Sequence, residues 1–561
     1  MSETPPGPLV VQSDRTLLLE VDHPDAEACR AAIAPFAELE RAPEHIHTFR
    51  VTPLALWNAR AAGFDAEQAI DAITRWSRYA VPQALLIDVA ETMSRYGRLV
   101  LDAPTRDPRA DLELRVAFAE DVPVLEEVLK AKAVAAVVGA RIGTVAVAVA
   151  PENRGRLKQA LLKVGWPCED LAGHVDGAPH PIALDLTGGG GWELRGYQRE
   201  AVTGFVAAGS GVVVLPCGAG KTLVGAAVLA EVSARTLILV TNTVSARQWR
   251  RELLERTSLT EDEIGEYSGE RKEIRPVTIA SYQVLITKRG GRFIHLDLFG
   301  AEDWGLVIYD EVHLLPAPVF RMTADLQSRR RLGLTATLVR EDGKEGDVFT
   351  LIGPKRYDAP WKDLEHQGWI APATCVEVRV AAEADERMAY ATAEPDERYR
   401  YAASVRAKPD VVEALVARHR GEPTLVIGQY LDQLDVLAER LGAPLITGKT
   451  PNAERERLYD AFRAGDERLL VVSKVANFSI DLPDAAVAIQ VSGTFGSRQE
   501  EAQRLGRILR PKPGGGQATF YSVVTRETLD QDYAAHRQRF LAEQGYAYAI
   551  VDAADIVGLG S

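Results

Sequence analysis

Cysteine is scarce. Four residues in 561 (Cys29, Cys168, Cys217, Cys375) stand far apart, with no C-x-x-C pair. That spacing argues against a disulfide framework, a zinc ribbon and a cysteine-ligated iron–sulfur cluster, and points to a reducing cytoplasm. His45 and His47 lack a third ligand at useful spacing, so a structural role is expected for both. The start, M-S-E-T-P-P-G-P, has no basic stretch leading into an apolar one, so no secretory leader is expected. Long apolar runs are also missing. The one stretch that could mislead, 133–150, carries Arg141, and its second half, T-V-A-V-A-V-A, fits a buried strand better than a membrane span. Positive charge is in deficit: 65 Lys and Arg face 79 Asp and Glu, a net charge of −14. This weighs mildly against nucleic acid, but net charge is global whereas binding is a property of one face.

What is present is length and apolar content. At roughly 150 residues per domain the chain has room for three to four cores. Helical patterns are expected at 24–40, 52–62, 65–79 and 82–97, after two short apolar runs at 9–11 and 17–19. Residues 101–180 alternate strand and helix, with strands at 111–117 and 144–150 and helices at 121–131 and 151–164. The G-G-G-G run at 188–191 is a linker signal. Beyond it the pattern is β-α-β-α, the mark of parallel sheets. Strand-like runs fall at 211–215, 236–241, 277–281, 305–309, 331–334, 423–428, 444–446, 468–473, 486–491 and 518–524. A stretch rich in Glu, Arg and Tyr, 381–412, is expected as a helical insertion between two α/β halves.

The strand at 211–215 runs into P-C-G-A-G-K-T (216–222) and then an Ala/Val/Leu helix. Gly218, Ala219 and Gly220 would let backbone N–H groups surround phosphate oxygens at a helix N-terminus. Lys221 would reach the β and γ phosphates and the Thr222 hydroxyl would bind Mg²⁺. The full G-x-x-x-x-G-K-[ST] pattern needs Gly at 215, where this chain has Leu215. A second carboxylate-bearing segment, D-E-V-H (310–313), follows the apolar run 305–309. Asp310 at a strand's carboxyl end would hold the same Mg²⁺, and Glu311 would orient and deprotonate the attacking water.

These segments resemble superfamily 2 helicases, and their finer spelling resembles the XPB helicases. The resemblance runs in order through L-R-G-Y-Q (194–198), L-P-C-G-A-G-K-T (215–222), A-S-Y-Q-V-L (280–285), W-G-L-V-I-Y-D-E-V-H (304–313), L-G-L-T-A-T-L-V-R-E-D (332–342), S-K-V-A-N-F-S-I-D-L-P (473–483) and E-A-Q-R-L-G-R-I-L-R (501–510). R-Q-R-F-L-A-E-Q-G-Y (537–546) and H-I-H-T-F-R-V-T-P-L-A-L-W (45–57) extend it. The fold it implies is α/β: two RecA-like parallel-sheet helicase lobes preceded by a mostly helical N-terminal domain and a small α/β domain. The boundaries are 1–100, 101–187, 188–365 and 366–561, with a thumb-like insertion at about 381–412. Residues 101–187 are either damage-recognition-like or a plain packing module.

Roles follow from the resemblance residue by residue. Gln198 would read the adenine edge beside Arg195. Lys221, Thr222, Asp310 and Glu311 form the Mg²⁺–ATP centre, with Asp481 on the nucleotide from the second lobe. His313 and Gln503 would meet across the interlobe cleft, and Thr335 and Thr337 would link hydrolysis to DNA contacts. Arg507 and Arg510 would be arginine fingers that neutralise transition-state charge only when the lobes close. Arg340, Glu341 and Asp342 match an element used in duplex opening. Ala476-Asn477 depart from the family's frequent Gly-Asp.

DNA contacts are expected from the 241–249 loop, Ser281-Tyr282 and Lys474, with Trp249 either stacking or packed in the core. Tyr390, Tyr399, Arg400, Tyr401, Arg406 and Lys408 would grip DNA, or else form a solvated hairpin. The implied activity is an ATP-dependent 3′→5′ DNA helicase or translocase acting in repair, with ATP and Mg²⁺ as cofactors. Its implied partners are forked or damaged duplex, single strand, and a nuclease or other repair protein, with no membrane. In a prokaryote it would be nucleoid-associated. The alternatives are a double-strand translocase without strand separation and a non-motor ATP switch that remodels a protein complex.

Overall fold

A computed structural model of the chain describes residues 7–42, 45–105, 112–117, 121–186, 192–216, 218–289, 292–316, 319, 329–336, 345–359, 361–369, 371–473, 485–493, 518–543, 546 and 548–558. Thr337, Arg340, Glu341, Asp342, Lys474, Asp481, Gln503, Arg507 and Arg510 lie outside the described residues.

The N-terminal part contains more sheet than its sequence pattern predicts. Strands β1 (Leu9–Val11), β2 (Thr16–Glu20), β3 (Glu38–Arg41) and β4 (Ile46–Arg50) form an antiparallel sheet in the order β1-β2-β4-β3. The helix expected at 24–40 ends at Ile33, and the chain turns into β3. Helices Pro53–Ala61, Ala66–Trp76 and Gln83–Ser94 follow the expected pattern. Ala66–Trp76 starts at a reciprocal cap: Asp65 accepts the Gln68 N–H and the Gln68 side chain accepts the Asp65 N–H. Leu17, Leu19, Phe49, Ile33, Leu56 and Ile73 share one core across sheet and helices.

The next sheet holds β5 (Leu99–Asp102), β6 (Leu112–Val116), β7 (Arg141–Ile142), β8 (Ala146–Val149) and β9 (Cys168–Asp170), ordered β7-β8-β6-β5-β9. The Ala/Val run at 146–149 is a strand of this sheet, and no described helix is long and apolar enough to cross a membrane. Cys29, Cys168 and Cys375 are buried free thiols.

Two seven-stranded sheets follow. The first contains β10 (Ser210–Val214), β11 (Thr236–Val240), β12 (Ile264–Tyr267), β13 (Val277–Ser281), then, past a short hairpin β14 (Lys288–Arg289) and β15 (Arg292–Phe293), β16 (Leu306–Asp310), β17 (Arg330–Thr335) and β18 (Lys355–Asp358). Its order is β12-β13-β11-β16-β17-β10-β18 and every pairing is parallel. Strands such as T-L-I-L-V (236–240) are apolar throughout because helices cover both faces. The second sheet contains β19 (Ala373–Val380), β20 (Thr424–Gly428), β21 (Leu445–Ile446), β22 (Leu469–Ser473), β23 (Val487–Gln490), β24 (Ala518–Thr525) and β25 (Tyr548–Asp552). It too is parallel throughout, in the order β21-β22-β20-β23-β24-β19-β25.

The accessory parts are bonded to the first lobe. Asn58 Oδ1 accepts the Lys355 N–H at 3.1 Å, and Gln159 donates to Asp347 at 2.8 Å. Arg154 and Lys158 both donate to Asp170, and Arg331, rooted in β17, lies in the same buried charge cluster. Burial pushes the Lys158 ammonium down to about 8 against the pull of Asp170.

Between β19 and β20 run helices Ala384–Thr392, Arg398–Ala403 and Lys408–Arg418. Here two expected DNA grips are corrected. Lys408 is fully buried, and its ammonium donates to Val491 O, Val523 O and Asp530 Oδ2 at 2.7–2.9 Å. A buried cation needs all its donors satisfied, and two buried main-chain carbonyls and the Asp530 carboxylate supply that. Tyr399 is buried too, donating to Gly493 O at 2.6 Å. Arg400 and Arg406 stay at the surface, paired with Asp432 and Asp385.

Candidate functional site: a nucleotide centre on the first lobe

Three neighbouring strands set the site. β17 lies between β16 and β10, and the registers Val214↔Thr335 and Asp310↔Leu334 bring their carboxyl ends level. The glycine loop follows β10, D-E-V-H ends β16, and Thr335 ends β17. Parallel sheets bind ligands at this edge.

Gly220 starts the helix Lys221–Val232 with φ +80°. A Cβ there would come within 2.5 Å of Gln198 Nε2 and would sit in left-handed backbone, so glycine is required. Lys221 Nζ donates to Glu311 Oε1 at 2.5 Å, with both side chains less than one-fifth exposed. Glu311 itself adopts φ +49°, a conformation that a non-glycine residue holds at some energetic cost and one met often at functional sites. His313 Nδ1 and Thr335 Oγ1 are 2.6 Å apart, joining β16's trailing turn to β17.

The carboxylates are electrostatically unequal. Burial and the neighbouring Glu311 charge raise the Asp310 pKa well above the usual carboxylate range. Burial acts the same way on Glu311, but the Lys221 and His313 charges outweigh it and hold Glu311 low. Asp310 is held at two points: its Oδ2 accepts the Trp249 indole N–H at 3.0 Å, and its carbonyl accepts the Tyr282 phenol at 2.8 Å. An ammonium, a hydroxyl at Thr222 and two carboxylates at a helix N-terminus are the donor set that a divalent-cation–nucleotide complex takes.

Residues 364–558 match the family model described as ERCC3/RAD25/XPB C-terminal helicase. Residues 191–340 match one for the type III restriction enzyme res subunit, and 9–143 one for a helicase conserved C-terminal domain. A "DNA 3'-5' helicase XPB" of Kineococcus radiotolerans is 71% identical over 98% of both chains. The chain belongs to the XPB helicase family. The protein of the same description from Mycobacterium tuberculosis is 68% identical over 98% of this chain and 99% of its own. A "General transcription and DNA repair factor IIH helicase/translocase subunit XPB/SSL2" of Saccharomyces cerevisiae is 30% identical over 96% of this chain and 71% of its own. This XPB-family chain is thus an ATP-dependent DNA helicase with two parallel-sheet lobes.

Within this helicase several expected residues occupy other positions. Gln198 is 1% exposed: its Nε2 donates to Ala219 O at 2.9 Å and its Oε1 accepts the Arg195 N–H. Tyr197 donates to the same Ala219 carbonyl at 2.8 Å. In this structure the pair braces the glycine loop at Ala219, and the Gln198 amide is buried. The Arg195 guanidinium lies over the Trp369 ring, 4.3 Å from its centroid. Ser281 is corrected as a DNA contact: it is 3% exposed, and its hydroxyl accepts the Val284 N–H at the start of helix Tyr282–Leu285. The 241–249 segment is a helix, Thr243–Arg256, capped by Asn242. Trp249 is on its buried face and does not offer its ring for stacking.

Sequence reasoning missed Tyr197 and Tyr282 as supports, and for Trp249 the core-packing reading holds. Tyr197 and Tyr282 stand inside segments already singled out, next to Gln198 and Ser281. An aromatic with a polar tip beside a buried motif residue is the available signal, because a buried hydroxyl needs a partner.

Proposed function

We propose that the chain binds Mg²⁺–ATP at the first lobe's carboxyl edge, hydrolyses it as the second lobe closes, and spends the closure on opening damaged or forked duplex with 3′→5′ polarity. The observation that carries this reading is the level placement of Lys221, Asp310, Glu311 and Thr335 across β10, β16 and β17, in a chain so similar to proteins described as DNA 3'-5' helicases. Lys221 binds phosphate, with Gly218, Ala219 and Gly220 giving backbone N–H groups to it. Thr222 and Asp310 would hold Mg²⁺, which would supply charge neutralisation, and Glu311 orients the attacking water. His313 passes the nucleotide state to Thr335. Gln503, Arg507, Arg510 and Asp481 complete the site from the second lobe. Strand tracking runs through phosphate contacts, Lys474 among them, and so with weak sequence preference. The role is repair of the nucleotide-excision type, alongside a nuclease or another repair protein. One relative's description as a DNA repair factor subunit supports that role.

The test is strand separation on forks with a 3′ or a 5′ tail, together with DNA-stimulated ATPase, for wild type and for Arg340, Glu341 and Asp342 all changed to Ala. A 3′-tail preference is expected, with ATPase surviving in the triple variant while separation collapses. Each base-pair step opened costs about 1.4 kcal/mol of stacking, against under about 1 kcal/mol for a surface charge cluster. Parallel loss of both rates, or loss of neither, rejects the wedge role. A second reading, translocation on intact duplex, is favoured by the match of 191–340 to the restriction-enzyme res subunit. Displacement of a third strand from a triplex without fork opening would select it.

A further inference from the structure

Trp249 is fully buried, and its indole N–H ends on Asp310. A buried indole N–H needs an acceptor, and ordinarily any carbonyl suffices. Trp57, Trp192 and Trp304 of this chain each donate to a main-chain carbonyl, and Trp166 and Trp369 donate to the side chains of Glu127 and Gln367. What sets Trp249 apart is where its acceptor stands: from helix Thr243–Arg256 it reaches the carboxylate that ends β16, 61 residues away, beside Lys221 and Glu311.

The route is opened by a glycine in the second turn of the phosphate-site helix. A Cβ at Gly225 would lie 2.3 Å from Trp249 Cη2 and 3.1 Å from Cζ3. Glycine inside a helix lowers that helix's stability, and no left-handed backbone requires it at 225. What it provides is room for the indole, one helical turn beyond Lys221. Tyr282, from the helix after β13, fixes the Asp310 carbonyl at the same time.

We propose that Trp249 is a positioning residue for the helicase's ATPase: seated against Gly225, its indole N–H commits Asp310 Oδ2 and so fixes the plane of the carboxylate that holds the divalent cation. This rests on the reading of Asp310 as a cation ligand. A hydrogen bond to an ionised group is directional and stronger than one between neutral groups, so its loss leaves the carboxylate free to rotate without emptying the core.

The test uses the full chain and four variants: Trp249→Phe, Gly225→Ala, the double variant, and Asp310→Asn. Mn²⁺ binding is read by electron paramagnetic resonance in the presence of a non-hydrolysable ATP analogue, beside kcat, KM and thermal melting. Trp249→Phe keeps a ring and loses the N–H. It is expected to weaken Mn²⁺ about five- to tenfold and to lower kcat about tenfold, with the KM for ATP within about twofold. Gly225→Ala should give the same pattern by displacing the indole. The double variant should be no worse than either single one, because a phenyl ring leaves space for the new methyl. Native Mn²⁺ affinity in Trp249→Phe, when Asp310→Asn has lost it, overturns the positioning role alone. Additive losses in the double variant overturn it too, as does a fall in melting temperature with Mn²⁺ binding unchanged. Native Mn²⁺ affinity in Asp310→Asn overturns the cation-ligand reading beneath it.

Discussion

Replacing Lys221 with Ala should do more than stop ATP turnover. The Lys221 ammonium bonds Glu311 Oε1 at 2.5 Å, with His313 Nδ1 3.5 Å from Oε2 and a second buried carboxylate, Asp310, beside it. Removing one partner of a buried pair costs about 3–5 kcal/mol when the other stays ionised. Glu311, left with His313 beside it, has an escape, which is to take up a proton. At pH 7.5 that means protonating a group of ordinary pKa 4.5, and 3 units at about 1.36 kcal/mol each cap the penalty near 4 kcal/mol. With both side chains still partly wet, roughly 2–4 kcal/mol is expected, or about 5–15 °C in the first unfolding transition of a lobe this size. The sign with pH follows. Glu311 is held below its ordinary pKa in the wild type and rises above it in the variant. The variant's folded state therefore binds the extra proton, and the stability gap opens as pH rises through 4.5 and closes below it. Differential scanning fluorimetry of both proteins without nucleotide, at pH 7.5 and pH 5, reads this directly, and a coupled ATPase assay reads the loss of turnover. A Lys221→Ala protein melting within about 1 °C of wild type at pH 7.5 would refute the electrostatic argument. Wild-type turnover would refute the site.

Three further outcomes are expected. Lys408→Ala takes from buried Asp530 its ammonium partner at 2.7 Å, leaving the Arg537 guanidinium at 4.0 Å, and should cost about 3 kcal/mol in urea unfolding, while DNA affinity of the folded protein stays unchanged because Lys408 presents no surface. His47 and His174 are each lowered by burial from 6.5 to about 4, so between those values the unfolded chain binds protons that the folded chain refuses. Stability should drop by roughly 2 kcal/mol per residue from pH 7 to pH 5, and replacing both with Asn should flatten the melting-temperature profile over that range. Arg507→Ala and Arg510→Ala should each lower kcat by about 10³-fold or more with little change in ATP affinity, and a rise in KM at unchanged kcat would make that residue a ground-state binder instead.

The motor's sheets were the most legible part of the chain. Their strands are short apolar runs that parallel packing buries on both faces, and the expected runs from 211–215 to 518–524 each overlap a strand. β19 escaped for a physical reason. It reads A-T-C-V-E-V-R-V, yet Glu377 is buried, because Gln538 and Arg379 donate to its carboxylate. A charge satisfied by partners 161 and two residues away does not look like core in a local window. The basic Lys408 misled in the same way, whereas the E-L-E-R of β3 keeps Glu38 and Arg41 exposed and buries only Leu39. Of the candidate site, the structure brings Lys221, Glu311, His313 and Thr335, singled out from the sequence, into one bonded cluster. The supports were not legible. Gln198 bracing the loop, Tyr282 on Asp310 and the burial of Ser281 are properties of three-dimensional neighbours, and nothing in the spacing encodes them.

The level ends of β10, β17 and β16 also govern which changes of length this chain can absorb. Along β17, Arg331, Gly333 and Thr335 share one side of the pleat, while Leu332 and Leu334 share the other. A single residue inserted between Arg331 and Thr335 would put the two on opposite faces, so that either the hydroxyl turns from His313 or a leucine stands where Arg331 meets its charge cluster. The loops between these strands can lengthen at small entropic cost, because their ends are already fixed. Insertions and deletions should therefore accumulate in the connections and be absent from the six residues of β17, where one strand's parity serves the nucleotide centre at one end and the accessory-domain joint at the other.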